Sequence, residues 1–243
     1  MRNGLSSMST AFQLRTLHKW LALLIGLQVL IWCISGLYMV AADIDFIHGD
    51  SLVRNELPAL THTDEIIPIA ALRIQHRGLT GAKLRALADT RLPVYELQTS
   101  GRPVLIDAIT GDVLSPLPQA RITQLARAYY SGAGQIARAQ RLDHAPVEIR
   151  GRPAQLWRID FDDWLNTSFY LDPDTGALVT RRHRLWRIFD MFWMLHVMDY
   201  GYERDDMNNM LLRIVSAAGV AFGVTGVWLL FYSFRPGRAR RRP

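Results

Sequence analysis

The stretch WLALLIGLQVLIWCISGLYMVAA, residues 20–42, decides how this chain is organised. Gln28 and Ser35 are its only polar side chains, and a helix of this length is about 34 Å long. That length is enough to cross the hydrocarbon core of a bilayer. A second uncharged run, IVSAAGVAFGVTGVWLLFY, occupies residues 214–232. The sequence therefore predicts two membrane helices, and no other stretch is long and apolar enough to form a third.

The chain of 243 residues carries a net charge of +6, and the positive excess lies at its two ends. Residues 1–19 contain three basic residues and no acid, and residues 233–243 contain five arginines and no acid, so the remainder is slightly acidic. Because basic flanks stay in the cytoplasm, we expect an inner-membrane protein with both termini cytoplasmic and residues 43–209 periplasmic. The expected partner is the lipid bilayer, and an acidic body does not favour nucleic acid.

A cleaved signal peptide is the alternative interpretation of the first run, since Val40-Ala41-Ala42 resembles a cleavage site. The run is longer than the apolar region of a signal peptide, and Tyr38 and Met39 lie close to the would-be cut. We therefore favour a retained anchor. Cys33, the only cysteine, lies in this run, so the sequence predicts no disulfide within the chain and no cysteine-based metal or haem attachment site.

The segment between the two runs contains an internal repeat of the form D-x-x-T-G followed by two apolar residues. The two copies are Asp107–Leu114 and Asp172–Val179. In each copy we expect the aspartate to cap a hairpin turn and the glycine to supply a positive φ. The predicted strands around the turns are residues 94–97, 103–106 and 113–114 in the first copy, and 155–160, 168–171 and 177–180 in the second. Apolar residues at helical spacing predict a helix ahead of each sheet, over 67–76 and 122–130.

Four features in this order resemble the PepSY-associated transmembrane helix family. They are Leu17-His18-Lys19-Trp20 leading into Ser35-Gly36-Leu37-Tyr38, the tandem D-x-x-T-G turns, Trp193–Tyr200, and Thr225-Gly226-Val227-Trp228. The resemblance covers residues 12–234. It implies an α+β fold in which two transmembrane helices flank a tandem PepSY-like extracytoplasmic domain, each repeat being a helix with an antiparallel sheet. Larger members of the family have more membrane helices than the two predicted here.

The predicted organisation has seven parts. They are a cytoplasmic basic tail at 1–19, the first membrane helix at 20–42, the first PepSY-like repeat at 43–117, the second repeat at 118–183, a juxtamembrane amphipathic helix with its linker at 184–209, the second membrane helix at 210–232, and a cytoplasmic Arg-rich tail at 233–243.

The resemblance implies a place near membrane redox or iron-uptake systems. No catalytic residue set, phosphate loop or dinucleotide fingerprint is visible in the sequence. We therefore expect a non-catalytic accessory or docking subunit that binds another membrane or periplasmic protein. Two alternatives stay open. One is a haem-binding electron-transfer subunit similar to ferric-siderophore reductases, and the other is a peptidase-modulating module, because PepSY-like domains resemble parts of protease propeptides.

His18 and His196 are the candidate ligands for haem b, since each follows a leucine in a segment that leads to a membrane helix. The predicted topology places them on opposite sides of the bilayer, about 30 Å apart. They are therefore not expected to ligate one haem within a single subunit, and a partner would complete each site. The alternative for His18 is an interfacial residue beside Lys19 and Trp20.

Residues 184–200 form the most apolar stretch outside the two runs, and their spacing predicts an amphipathic helix. We expect its aromatic side chains to contact the membrane surface or a partner. They are Trp186, Phe189, Phe192, Trp193 and Tyr200. The alternative is that this helix closes the core of the two repeats.

Small residues four positions apart mark candidate helix contacts, with Ala22 and Gly26 on the first run and Gly219 and Gly223 on the second. They favour either a homodimer or packing of the two helices within one chain.

Two acidic clusters offer paired carboxylates, which can serve acid–base chemistry or bind a hard cation. They are Asp160, Asp162 and Asp163, and Glu203, Asp205 and Asp206. We expect no metal site in either, because hairpin turns and a solvated sheet rim account for these residues.

Overall fold

The computed structural model describes residues 3–54, 59–60, 65–75, 78–149, 151–200 and 209–234. Within it the chain divides into two compact units. The membrane unit combines the segment before residue 42 with the segment after residue 189, and the outer unit consists of residues 42–189.

Two long helices build the membrane unit. Helix α1 covers Asn3–Ala41 and helix α6 covers Met210–Ser233, and each contains a segment long and apolar enough to span a bilayer, residues 12–41 and 210–231. Helix α1 begins well before Trp20, so the predicted tail is helical from Asn3 onward. No proline interrupts the sequence there. The Asn209 side chain caps α6 by accepting the Leu212 N–H at 2.8 Å.

The outer unit contains two antiparallel sheets and their helices. The first sheet has strand order β1-β2-β3 and the second has order β4-β5-β6-β7. The strands are β1 Gly81–Ala86, β2 Pro93–Gln98, β3 Val104–Asp107, β4 Ile136–Arg141, β5 Trp157–Phe161, β6 Ser168–Leu171 and β7 Leu178–Arg182. The helices are α2 Ile44–His48, α3 Ile69–Gln75, α4 Gln119–Tyr129 and α5 Arg184–Val197, whose last residues belong to the membrane unit. Short 3-10 turns occupy Asp50–Leu52 and Val147–Ile149.

The two sheets share one apolar core with α4. Val94 and Leu105 of the first sheet, Leu125 of α4, and Ile159 and Phe169 of the second sheet are all fully buried in one cluster. Because a single sheet face cannot be covered by its own short helix, the two repeats bury their apolar faces against each other. The predicted α+β fold class, with two membrane helices flanking antiparallel sheets, is confirmed.

Both D-x-x-T-G segments form the same turn. Asp107 Oδ1 accepts two backbone N–H groups at 2.8 and 3.0 Å, and Asp172 Oδ1 accepts the equivalent pair at 2.9 and 2.8 Å. The glycines that close the turns, Gly111 and Gly176, have φ of 78° and 69°. The hairpin chemistry that the sequence predicts is therefore confirmed in both copies.

Three details of the predicted strands were wrong. The third strand of the first copy is a single bridge between Ile106 and Val113, because the chain turns away after it. Strands β1 and β4, which open the two sheets, were not predicted. Both are edge strands with several exposed residues, so their sequences lack the alternation of a half-buried strand.

Candidate functional site

His18 packs against α6 near the end of that helix. Its Nδ1 lies 2.9 Å from Thr225 Oγ1, and its ring stacks on Phe222 with centroids 4.4 Å apart and an angle of 11° between the planes. The neighbouring Gly226 makes this approach possible, since a Cβ at that position would lie 3.2 Å from His18 Cε1. The imidazole is thereby held by the Thr225 hydroxyl, the Phe222 ring and the backbone of α6 at Gly226.

His196, in the last turn of α5, packs against α1 in the same manner. Its Nδ1 lies 2.9 Å from Ser35 Oγ, and its carbonyl oxygen accepts the Trp32 Nε1–H at 2.7 Å. A Cβ on Gly36 would lie 3.5 Å from His196 Cε1. The same three parts therefore recur, namely an imidazole, a hydroxyl from the opposite segment, and the glycine that follows the hydroxyl.

These two arrangements are crossed, because each histidine pairs with the Ser/Thr-Gly step of the other segment. The sequence identifies Ser35-Gly36 and Thr225-Gly226 as family features, but it does not predict their pairing with the histidines. The sequence feature that could have indicated this pairing is a serine or threonine followed by glycine in both membrane helices. The contacts span 161 and 207 positions in the chain, so nothing local connects their members.

The two histidines lie at opposite ends of the helix pair. Ser35, which contacts His196, is 17 positions after His18 on the continuous helix α1, and 17 positions correspond to about 25 Å. Because His18, near the start of the first span, meets Thr225, near the end of α6, the two helices run antiparallel. One haem within one chain cannot therefore reach both imidazoles.

Nε2 is the ring nitrogen of each histidine that is left to bind a metal or cofactor. In the part of the chain that the structure describes, no hydrogen bond reaches Nε2 of His18 or His196. Metal-bound histidines bind through one nitrogen while the other is hydrogen-bonded, and Nδ1 is the hydrogen-bonded nitrogen at both ends. Among the described residues there is also no group of three or more His, Cys, Asp or Glu side chains that could hold a metal ion.

The aromatic residues predicted to form a contact surface have different surroundings. Phe192 stacks on Tyr38 of α1 with centroids 4.5 Å apart, and the Arg182 guanidinium lies 3.8 Å above the Trp186 ring. Trp193 is 37% exposed and Tyr200 is 53% exposed. Trp193 and Tyr200 thus remain the members of the set best placed to meet lipid or another protein.

An ion-paired cluster fixes the first turn of α5 to the outer unit. Arg187 Nε lies 2.7 Å from Glu148 Oε2, and the Tyr170 hydroxyl donates to Glu148 Oε1 at 2.5 Å. Burial alone would raise the pKa of Glu148, but these hydrogen bonds and the positive charge of Arg187 outweigh it and lower the pKa. The carboxylate therefore stays ionised and holds the helix start in place.

The glycines predicted as helix contacts, Gly26, Gly219 and Gly223, do not pack against the other membrane helix of the same chain. A Cβ built on Gly26, Gly219 or Gly223 would have no atom within 4 Å. Ala22 is half-buried. The homodimer that these residues suggest stays a prediction.

Each aspartate of the acidic cluster in the second sheet has a hydrogen-bond partner within the outer unit. Asp160 pairs with Arg158 at 2.7 Å, and Asp163 accepts the Tyr130 hydroxyl at 2.8 Å. Burial and this hydrogen bond raise the pKa of Tyr130 to about 12. Asp162 accepts a backbone N–H of the neighbouring loop. These contacts connect the three aspartates to neighbouring strands and loops. The second acidic cluster, at 203–206, lies outside the described residues.

A family model described as the PepSY-associated TM region matches residues 15–243. No curated protein and no solved structure matches the chain. The match includes both histidines, both Ser/Thr-Gly steps and both D-x-x-T-G turns.

Proposed function

Since the chain belongs to the PepSY-associated transmembrane family, we propose that it is a membrane-anchored electron-transfer subunit of a redox or iron-uptake system. In this proposal His18 and His196 each hold one haem b, and another chain completes each site. The observation that carries the proposal is that each imidazole is hydrogen-bonded through Nδ1, with no hydrogen bond to Nε2 among the described residues, at opposite ends of one helix pair. Haem, when bound, supplies a one-electron carrier.

The residues of this chain have a defined task in the proposal. Thr225 and Ser35 hold the imidazoles through Nδ1, and Gly226 and Gly36 let the rings lie against the helices. Two carriers about 25 Å apart along the helix pair would serve the two sides of a bilayer.

A non-catalytic docking subunit without haem is the second candidate. Trp193 and Tyr200 favour it, since exposed aromatic side chains are enriched where proteins meet partners or the bilayer surface. The partner in that case is another membrane or periplasmic protein.

A visible spectrum of the full chain, purified from membranes in mild detergent together with whatever binds it, distinguishes the two candidates. We expect a Soret band that shifts on reduction, and we expect His18→Ala and His196→Ala each to remove about half of the haem per chain. His144→Ala is the matched control, because His144 is exposed in the outer unit. A colourless protein that retains a stoichiometric partner would overturn the haem proposal and support docking.

A further inference from the structure

The hydroxyl groups of Ser35 and Thr225, beside the two histidines, also contact carbonyl oxygens of their own helices. A hydroxyl donates one hydrogen bond and accepts up to two. Ser35 Oγ lies 2.6 Å from the carbonyl oxygen of Ile31, four residues earlier on the helix. Thr225 Oγ1 lies 2.9 Å from the carbonyl oxygen of Ala221, at the same spacing. Since a carbonyl oxygen can only accept, these contacts favour a hydroxyl that donates along its own helix.

In that arrangement the oxygen that faces each imidazole is an acceptor. For the contacts of 2.9 Å at Ser35 and Thr225 to be hydrogen bonds, Nδ1 of His196 and of His18 must carry a proton and donate it. A neutral imidazole has one protonated and one bare nitrogen. The bare lone pair then lies on Nε2 in both residues.

The surroundings of the rings keep this arrangement in place. The Trp32 Nε1–H bond to the His196 carbonyl fixes the backbone from which that ring projects. At the other end, Phe222 stacks on the His18 ring and restricts its rotation. A flip of either ring would move Nδ1 away from the hydroxyl and break this hydrogen bond.

We propose that Ser35 and Thr225 are positioning residues that fix His196 and His18 in the Nδ1–H form and so make Nε2 the nitrogen that binds a ligand. What Nε2 binds rests on the function proposed above, but the protonation pattern does not. The same device serves both ends of the membrane unit, with the serine on α1 and the threonine on α6.

Nitrogen-15 NMR of the full chain, labelled at histidine, prepared without haem in lipid nanodiscs at a pH that keeps imidazole neutral, tests this directly. We expect His18 and His196, assigned with His18→Gln and His196→Gln, to show a protonated Nδ1 and a bare Nε2. Ser35→Ala is expected to remove the Nδ1–H signal of His196 and leave that of His18 unchanged. Thr225→Val is expected to have the converse effect.

Conservative variants separate a positioning role from a merely structural one. Ser35→Thr and Thr225→Ser retain the hydroxyl, and we expect both to restore the Nδ1–H signal. A protonated Nε2 in the unaltered chain, or unchanged spectra in Ser35→Ala and Thr225→Val, would overturn the proposal. If the NMR pattern holds and the purified protein is colourless, the positioning role stands and the haem proposal alone fails.

Discussion

At the scale of single residues, His183 connects two segments of the outer unit through both ring nitrogens. Its Nε2 lies 2.9 Å from the Ile47 carbonyl oxygen, and its Nδ1 faces the Trp186 N–H at 3.4 Å in the first turn of α5. The side chain is 1% exposed. A neutral imidazole that donates from Nε2 and accepts at Nδ1 satisfies both contacts. A second proton, on Nδ1, would point at the Trp186 N–H and remove that hydrogen bond.

The charge state of His183 makes the stability of the chain depend on pH. Burial lowers the pKa of His183 below its ordinary value of 6.5, with a contribution from Arg187, against the opposing effects of the Ile47 carbonyl and Asp163. The unfolded chain then binds the proton more readily than the folded one. We expect the free energy of unfolding to fall as the pH drops below about 6.5, as linkage requires.

Thermal unfolding of the full chain in detergent between pH 5 and 8 measures this effect. His183→Asn is the informative variant, because asparagine cannot be protonated and still offers an oxygen to the helix start. We expect its pH dependence to be flatter than that of the unaltered chain. Parallel curves for the two proteins would show that another group is responsible.

At the scale of elements, the two D-x-x-T-G turns have the same backbone but different neighbours. Both glycines have positive φ, so alanine at either position costs about 1–2 kcal/mol. A Cβ on Gly176 would also lie 2.5 Å from Leu125 Cδ1 and 2.8 Å from Leu117 Cδ1. A Cβ on Gly111 would meet only Ile67 Cδ1, at 3.2 Å. The second turn is thus packed into the shared core more closely than the first.

We therefore expect Gly176→Ala to lower the midpoint of thermal unfolding more than Gly111→Ala. Gly26→Ala serves as a control without backbone strain or a steric clash, since Gly26 is helical and nothing lies within 4 Å of the added Cβ. Equal losses at the two turns would mean that backbone strain alone decides the outcome and that the contacts with Leu117 and Leu125 adjust freely.

These elements show how far the sequence alone reaches. Turn chemistry is local, so the roles of Asp107, Gly111, Asp172 and Gly176 could be predicted from five-residue motifs. The edge strands β1 and β4 could not, because a strand paired on one side and largely exposed needs no apolar alternation. The contact between His18 and Thr225 could not be predicted either, since only the packing of two distant helices brings these residues together.

At the scale of the whole molecule, the two helices and the basic ends predict one orientation. We expect a green fluorescent reporter fused after residue 243 to be fluorescent in the cytoplasm, and an alkaline phosphatase fused after residue 120 to be active outside it. A dark fluorescent reporter together with an inactive phosphatase would show the opposite orientation in the membrane. Replacing the five arginines of the C-terminal tail by glutamine should weaken the fluorescence if these charges retain that end in the cytoplasm.

The crossed pairing of the histidines also has a consequence for biosynthesis. Helix α1 leaves the ribosome long before α6, yet the partner of His18 lies 207 positions later in the chain and the partner of Ser35 lies 161 positions later. Neither polar contact can form until the segment that carries the later residue has been made. Until then, the His18 imidazole and the Trp32 N–H lack the partners that they have in the folded chain.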